Sequence, residues 1–408
     1  MRLTGDLVST PHAKQPKELQ VSALDLLGNA DPTTYPLQKQ TMTTEYLRNL
    51  MYFRARTDNI AKMLRLRAEL THRIHSYFAE KHEFLLVNTP VITQNDAEGA
   101  GEVFEVSPKD FFSNPSPESS ESTGAFLTVS SQLHLEAFAT AIGRVYTLSP
   151  CFRAERSDTS RHLAEFWMLE AEWVSPPQPL PEADTPSDTS YSSYQLLHST
   201  SLLEGLIREV AGDHIPSIAT AESWPRISYT EAIAQLQEYQ SSASSADKFQ
   251  HDSSWGSSLS SEQERYLARN GPIFVTDYPK EMKPFYMWAN DDGKTVACFD
   301  LLIPRVGELA GGSVRETRYD VLKDRMSADG MLPDGSTDHW YLETRAHGVQ
   351  PHSGFGLGFE RLISWILSTQ QDAGSREGKA AWDNSSLDDV VNVRECIPIP
   401  RWAGRCPM

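Results

Sequence analysis

The order of apolar and polar positions divides the chain into recognisable stretches. Leu19, Val21 and Ala23 alternate with polar neighbours, so residues 1–28 read as short strands on either side of a turn at Pro11–Pro16. Two or three such strands cannot stand alone, so they form either an edge of the main sheet or the end of a small β domain. Pro32 and Pro36 mark a linker or hinge over 29–58 that leads into a short basic helix. From Asn59 to Lys81, apolar residues at 60, 63, 64, 70, 74, 77 and 78 follow a helical period. The run FLLVNTPVI at 84–92 predicts a buried strand that Pro90 ends or kinks. A strand running into a helix is expected over 126–143, with Ser130 as the N-cap. RVYTLSPCFRAE predicts another strand, and the stretch up to Glu172 its hairpin partner. A helix over YQLLHSTSLLEGLIREVAG follows, then a capped helix within 225–236. PIFVTDYP, FYMWAN and KTVACFDLLIP read as strands, and HSGFGLGFERLISWIL as a strand turning into a helix. The chain therefore predicts an α+β fold in which an antiparallel β-sheet is flanked by helices.

Four segments interrupt this pattern: 113–123, 175–193, 241–261 and 370–386 are rich in Ser, Pro or charged residues and predict exposed loops. The remaining length is enough for one large core, placed over 59–408. Four scattered cysteines without a CxxC pair argue against a zinc site or disulfide framework and for a reducing compartment. No apolar run reaches membrane-spanning length, so no membrane partner is expected. The net charge of −18 by itself argues against a nonspecific nucleic-acid binder. Residues 1–90 nonetheless carry twelve Lys and Arg against nine Asp and Glu. A polyanion would meet the chain there. His72, His75 and His82 read as solvated helix histidines, because no carboxylate pattern supports a metal site.

Three constellations carry chemistry. Two strands joined by a loop at 157–160 would bring Arg153, Glu155, Arg161 and His162 together, flanked by Leu148, Phe152, Phe166 and Met168. Charges crowded beside apolar strands call for a charged ligand between them. Gly354, Gly356 and Gly358 share one face of a strand, and Arg361 opens the following helix. A flat ring could lie on such a face, and a helix start with an arginine suits phosphate; close helix packing explains the glycines equally well. Asp300 and Glu308 could ligate a hard divalent cation or stand as solvated acids, and Gly311, Gly312, Ser313 and Arg315 follow. Together they describe a pocket for a triphosphate and a ring: cations from Arg153, Arg161, His162 and Arg361, an aromatic face from Phe166, and metal ligands from Asp300 and Glu308.

FRAE…RHLAEF resembles motif 2 of class II aminoacyl-tRNA synthetases, GFGLGFERL resembles motif 3, and the helix at 59–81 with FLLVNTPVI resembles motif 1. Within that class, YPLQKQ, EGAGEVFEV, SRHLAEFWMLE, FVTDYPKEMKPFYM, GELAGGSVRE and PHSGFGLGFER resemble the bacterial and organellar asparaginyl-tRNA synthetases, from about residue 30 to the C-terminus. The resemblance implies activation of asparagine by ATP with Mg²⁺, transfer to tRNA(Asn), and a homodimer through motif 1. It implies that Arg153 holds the ATP α-phosphate and the substrate carboxylate, Glu155 the adenine amino group, and Phe166 the adenine face. Arg161, His162 and Arg361 would hold the β- and γ-phosphates, with Gly356 and Gly358 as the nucleotide wall, and Asp300 and Glu308 would hold Mg²⁺. Arg153, Glu308 and Arg361 would act in catalysis. Glu98 and Gln132 would orient the amino acid with Ser130 nearby, Ser313 would belong to the amino-acid-binding set, Arg315 would contact the side-chain oxygen, and Glu170 would accept from the side-chain amide.

The chain departs from the family in places. The family's YLDLRRYG is YLETRAHG here, with Ala346 and His347, and the acidic segment after the motif 2 strand is replaced by 175–193. Residues 1–28 match only the last strands of the family's anticodon-reading OB-fold. That match predicts weak tRNA charging beside intact adenylate formation. Three rivals remain open: an aspartyl-tRNA synthetase, an ammonia-dependent asparagine synthetase relative, and a catalytically silent paralogue with a binding role. Exchange assays with both amino acids separate the first, asparagine formation from aspartate and ammonia the second, and intact Arg153, Glu308 and Arg361 argue against the third. The organellar-type motifs and Ser-rich segments suggest the mitochondrial matrix, with the cytoplasm as the alternative.

Overall fold

A computed structural model of the chain describes residues 1–11, 16–94, 103–106, 125–156, 159–175, 191–219, 222–244, 248–332, 337, 339–373 and 390–406. Two units divide it, Met1–Thr57 and Asp58–Met408. In the first, β1 (Arg2–Ser9) and β2 (Lys17–Asp25) pair antiparallel, with a bulge between Thr4 and Gly5. Every residue of β2 is exposed. Two short helices follow, α1 (Thr44–Asn49), capped by the Thr43 hydroxyl, and α2 (Met51–Arg54).

The second unit opens with α3 (Asp58–Ser76), β3 (Leu85–Leu86), β4 (Ile92–Thr93), β5 (Glu105–Val106) and β6 (Ala125–Leu127). Then come α4 (Gln132–Ile142), β7 (Arg144–Phe152), β8 (Glu165–Val174), α5 (Tyr191–Ala211), α6 (Pro216–Ala219) and β9 (Arg226–Ser228). They are followed by α7 (Tyr229–Ser242), α8 (Ser261–Leu267), β10 (Ile273–Thr276), β11 (Cys298–Ile303) and β12 (Gly307–Val314). Last are α9 (Tyr319–Ala328), α10 (Trp340–Ala346), β13 (His352–Gly358) and α11 (Phe359–Ala373).

Eight strands form one sheet in the order β3-β7-β8-β13-β12-β11-β10-β9. The inner six run antiparallel, whereas β3 and β9 join the two edges in parallel. The expected antiparallel sheet is thus the middle of a mixed one. Residues opposite one another share a face. One row reads Thr147, Glu170, Gly356, Gly311, Asp300, and the next Val145, Glu172, Gly354, Ser313, Cys298. Glycines therefore occupy the middle of the face, with acids on both sides. The opposite face carries Tyr146, Ala171, Phe355, Gly312 and Phe299. There Leu70 and Ile74 of α3, Leu203 and Ile207 of α5, and Ile363 and Ile366 of α11 close a core. The rings of Phe78 and Tyr146 stack at 4.7 Å within it. A side chain at 312 would drive into the Phe299 ring, so glycine is needed there. A second core lies under α7, α9 and α10 around Leu236, Leu322, Phe285 and Tyr341.

Several expectations need correction. The 59–81 helix is α-helical to Ser76, then widens into a π-turn over Tyr77–Lys81. FLLVNTPVI supplies only two short strands, and Leu85 and Leu86 are exposed, because β3 is an edge strand paired to β7 alone. The cap position of α4 is Ser131, and the Ser130 hydroxyl accepts from the Gln132 backbone N–H at 3.1 Å. FYMWAN makes only isolated bridges, Met287 with Arg315 and Ala289 with Val296. His75 is half-buried and bonds the Tyr146 hydroxyl at 2.8 Å rather than water alone.

The 241–261 segment is more ordered than its serine content suggests. Tyr229 donates to Ser257 O at 2.7 Å, and Ser260 with Gln263 forms a capping box that starts α8. Ser192 and Ser193, assigned to a loop, lie in the first turn of α5. The segments at 113–123, 176–190 and 374–386, with Glu98, lie outside the described residues.

Candidate active site

The alternation of β8 aims Met168, Glu170 and Glu172 at the glycine face. Above that face lie two cavities, of about 610 and about 300 Å³. Arg153, Met168, Glu308 and Gly356 line both, so the two adjoin. The larger takes in Ser130, Gln132, Glu170, Glu172, Asp300 and Arg315. The smaller takes in Glu155, Arg161, His162, Phe166, Gly358 and Arg361. The hairpin, the glycine strand and the acid pair, far apart in sequence, thus meet at one place.

In the smaller cavity the Arg153 guanidinium lies 5.6 Å from the centre of the Phe166 ring and 4.0 Å from Glu155. Arg361 donates to Glu308 O at 2.9 Å and faces its carboxylate at 3.4 Å. Two expected cations differ. Arg161 forms an ion pair with Glu264 of α8 at 3.0 Å and donates to the Ser261 hydroxyl, and its buried Nε meets no acceptor among the described residues. His162 is not a ready cation: burial lowers its pKa, and Arg361, Arg161 and Arg153 lower it further, against the pull of Glu155. Its Nδ1 sits 2.5 Å from the Thr159 hydroxyl. At neutral pH it is an imidazole that donates or accepts one hydrogen bond.

In the larger cavity Asp300 receives Lys283 on both oxygens, at 2.9 and 2.8 Å. Burial pushes Asp300 up and Lys283 opposes that shift, while Asp300 holds Lys283 above the ordinary amine range against its own burial. Burial also works against the charge of Glu308, but Arg361, with Lys283, Arg161 and Arg153, holds it below the usual carboxylate range.

A metal fit can be read at Gly311. The position of a Cβ there would lie 3.2 Å from Asp300 Oδ1 and 3.6 Å from Glu308 Oε1, a cradle between two carboxylates. Among the described residues no group of three or more His, Cys, Asp or Glu side chains could hold a metal. Two carboxylates with phosphate and water completing the shell is the pattern magnesium takes.

Three expected roles change. Ser313 is fully buried, is not part of the cavity lining, and accepts from Arg315 Nη1 at 2.6 Å, so it orients the arginine. Glu170 accepts from Ser130 Oγ at 2.5 Å and from Ser131 N at 2.9 Å, which makes it a clamp on the start of α4. The glycine strand is not a bare wall, because the Glu172 side chain covers Gly354 and the Met168 methyl comes within 2.8 Å of a Cβ at Gly356.

Arg315, 2% exposed, donates from Nη2 and Nε to the two oxygens of Glu172. Burial raises Glu172, and Arg315 opposes that rise while Glu136 adds to it. Both Glu172 oxygens accept guanidinium N–H groups, so the pair fits as carboxylate and guanidinium. Glu172 and Glu136 in turn hold Arg315 above its ordinary range against burial.

Residues 43–371 match the family model described as class II tRNA synthetases (D, K and N). The chain is 41% identical over 421 residues to the asparagine–tRNA ligase of Desulfotalea psychrophila, covering 99% of this chain and 83% of that protein. The chain belongs to the asparaginyl-tRNA synthetases of class II. Its fold is similar to that of the Entamoeba histolytica asparaginyl-tRNA synthetase in complex with asparaginyl-adenylate, with a TM-score of 0.75 at 26% identity over 100% of this chain and 84% of that one. The Pyrococcus horikoshii enzyme complexed with asparaginyl-adenylate gives 0.73 at 26%, over 96% and 80%.

Sequence reasoning passed over three side chains in this synthetase. Glu172 lies two residues beyond Glu170 on the same face of β8, a period-two signal that pointed to it. Lys283 stood unremarked within FVTDYPKEMKPFYM. Glu136 carried no signal, since a lone acid on an apolar helix reads as solvated.

Proposed function

We propose that this synthetase joins asparagine to ATP, forming asparaginyl-adenylate and pyrophosphate, and then passes the asparaginyl group to the 3′-hydroxyl of tRNA(Asn), releasing AMP. The observation that carries the reading is the pair of adjoining cavities joined at Arg153 and Glu308. One is lined with cations and an aromatic ring, the other with the Glu172–Arg315 pair. A carboxamide offers both an acceptor and a donor, and such a pair answers both. In the smaller cavity Phe166 and Gly358 take the adenine and ribose, Glu155 the exocyclic amine, and Arg361 with Arg161 Nε the distal phosphates. In the larger one Ser130 and Gln132 orient the amino acid, a task that Glu98 is proposed to share.

The substrate carboxylate oxygen attacks the α-phosphorus as the bond to pyrophosphate breaks. The nucleophile is already an anion, so no protein base is required. Arg153, at the junction, holds both reacting groups and the charge that develops between them. Asp300 and Glu308 would hold Mg²⁺, which supplies electrostatic stabilisation of the phosphates. Incubation with ATP and asparagine should yield asparaginyl-adenylate and pyrophosphate by mass spectrometry. Product with aspartate alone would overturn the assignment.

We further propose a homodimer. Leu85, Leu86 and Ile92 are exposed, as are Phe138 and Ile142 of α4, which packs beside Val87. Such a patch supports burial against a second copy. Residues 1–28 are proposed to serve anticodon reading, so they bear on charging rather than on adenylate formation. No helix among the described residues is long and apolar enough to cross a membrane. The bacterial type of the relatives supports a mitochondrial matrix enzyme, which cell fractionation would test.

A further inference from the structure

Beneath the amino-acid cavity lies a buried polar cluster that the chemistry above does not use. Glu136 of α4 is 1% exposed and is not part of the cavity lining. Its Oε1 accepts from Gln132 Nε2 at 3.0 Å and lies 3.8 Å from Arg315 Nε. Its Oε2 accepts from the Tyr341 hydroxyl at 2.7 Å, from Arg345 Nη2 at 2.8 Å and from His352 Nε2 at 3.0 Å. Burial works against the charge of Glu136, but Arg345, with His352 and Arg315, holds it below the usual carboxylate range, so Glu136 is an anion. His352 is fully buried, and its Nδ1 faces Gln350 O at 2.8 Å while its Nε2 faces Glu136. The buried cations Arg315 and Arg345 are then matched by Glu172 and Glu136. A neutral wall suits a carboxamide, whereas aspartate would add one uncompensated charge in a place shielded from water.

Resting on the asparagine reading above, we infer that Glu136 is a positioning residue for amino-acid selection. It fixes Gln132 from below and completes the charge balance around Arg315, and so helps the site refuse aspartate. A merely structural acid would affect both amino acids alike. ATP–pyrophosphate exchange on the full chain, with asparagine and with aspartate, tests this for wild type, E136Q, R345Q and the E136Q/R345Q double variant.

The E136Q variant should lose about tenfold in kcat/KM for asparagine while the aspartate-to-asparagine ratio rises about tenfold, with the KM for ATP unchanged. R345Q should lower that ratio, and the double variant, neutral again, should bring it back toward wild type. Should E136Q fail to fold, R345Q and the double variant still decide, since their ratios must differ in the stated direction. Equal losses for both amino acids in E136Q, or no restoration in the double variant, overturns the inference alone. Wild-type protein without asparagine exchange overturns the reading it rests on.

Discussion

The Gly354→Ala variant probes the amino-acid site by adding a single methyl group. Gly354 pairs with Glu172 across β13 and β8, and a Cβ there would occupy the space of the Glu172 carboxylate. That carboxylate cannot simply swing aside, because Arg315 holds both oxygens and Arg315 is itself fastened to Ser313. The methyl therefore breaks the bidentate pair or tilts it out of register. A charge-assisted hydrogen bond contributes about 1.5–3 kcal/mol. Losing one converts to about a 10- to 150-fold fall in kcat/KM for asparagine. Gly354 is absent from the lining of the nucleotide cavity, so the KM for ATP should stay at the wild-type value. Gly28→Ala is the control: a Cβ there would meet nothing within 4 Å, and asparagine kinetics should not change. The assay is ATP–pyrophosphate exchange with each substrate varied in turn, alongside a melting curve. Wild-type asparagine kinetics in Gly354→Ala, or a parallel rise in the KM for ATP, would refute the assignment of Glu172 and Arg315 to the amino-acid site.

Other outcomes follow from the same geometry. With its pKa lowered, His162 is neutral on the alkaline side of its ordinary range, so the KM for ATP of wild type and His162→Gln should run parallel between about pH 7 and pH 8.5. A rise through neutral pH in wild type alone would mean that His162 binds phosphate as a cation. Leu86 and Phe138 are exposed members of the apolar patch, so Leu86→Asp combined with Phe138→Asp should shift sedimentation from dimer to monomer, whereas an unchanged profile would place the interface elsewhere. Phe78→Ala removes the ring stacked on Tyr146 and should cost about 3–5 kcal/mol in a denaturant titration, with a loss under about 1 kcal/mol counting against this core.

Periodicity revealed the long elements because their apolar faces repeat: α3, α5, α11 and the β7–β8 hairpin all stand close to where alternation put them. It misjudged places where pairing, not pattern, decides. Leu85 and Leu86 look like core and lie at a sheet edge, while the serines at 253, 254, 257 and 260 look like loose loop and are tied to Tyr229 and α8. The residues that line the cavities were readable where an unusual type sat on an apolar strand, as with Glu170, or just past the end of one, as with Arg153 after β7 and Arg315 after β12. Their partners were not. Whether Arg161 meets phosphate or Glu264, and whether Ser313 faces the cavity or the arginine beside it, depends on contacts between residues distant in sequence. The charge of Glu136 has meaning only through Tyr341, Arg345 and His352, which come from two elements far along the chain.

The most direct test of the central claim is ATP–pyrophosphate exchange by the wild-type chain with asparagine and aspartate side by side. Asparagine should drive exchange with a kcat/KM at least about a hundredfold above that for aspartate. Equal rates, a preference for aspartate, or no exchange with a folded protein would contradict the account.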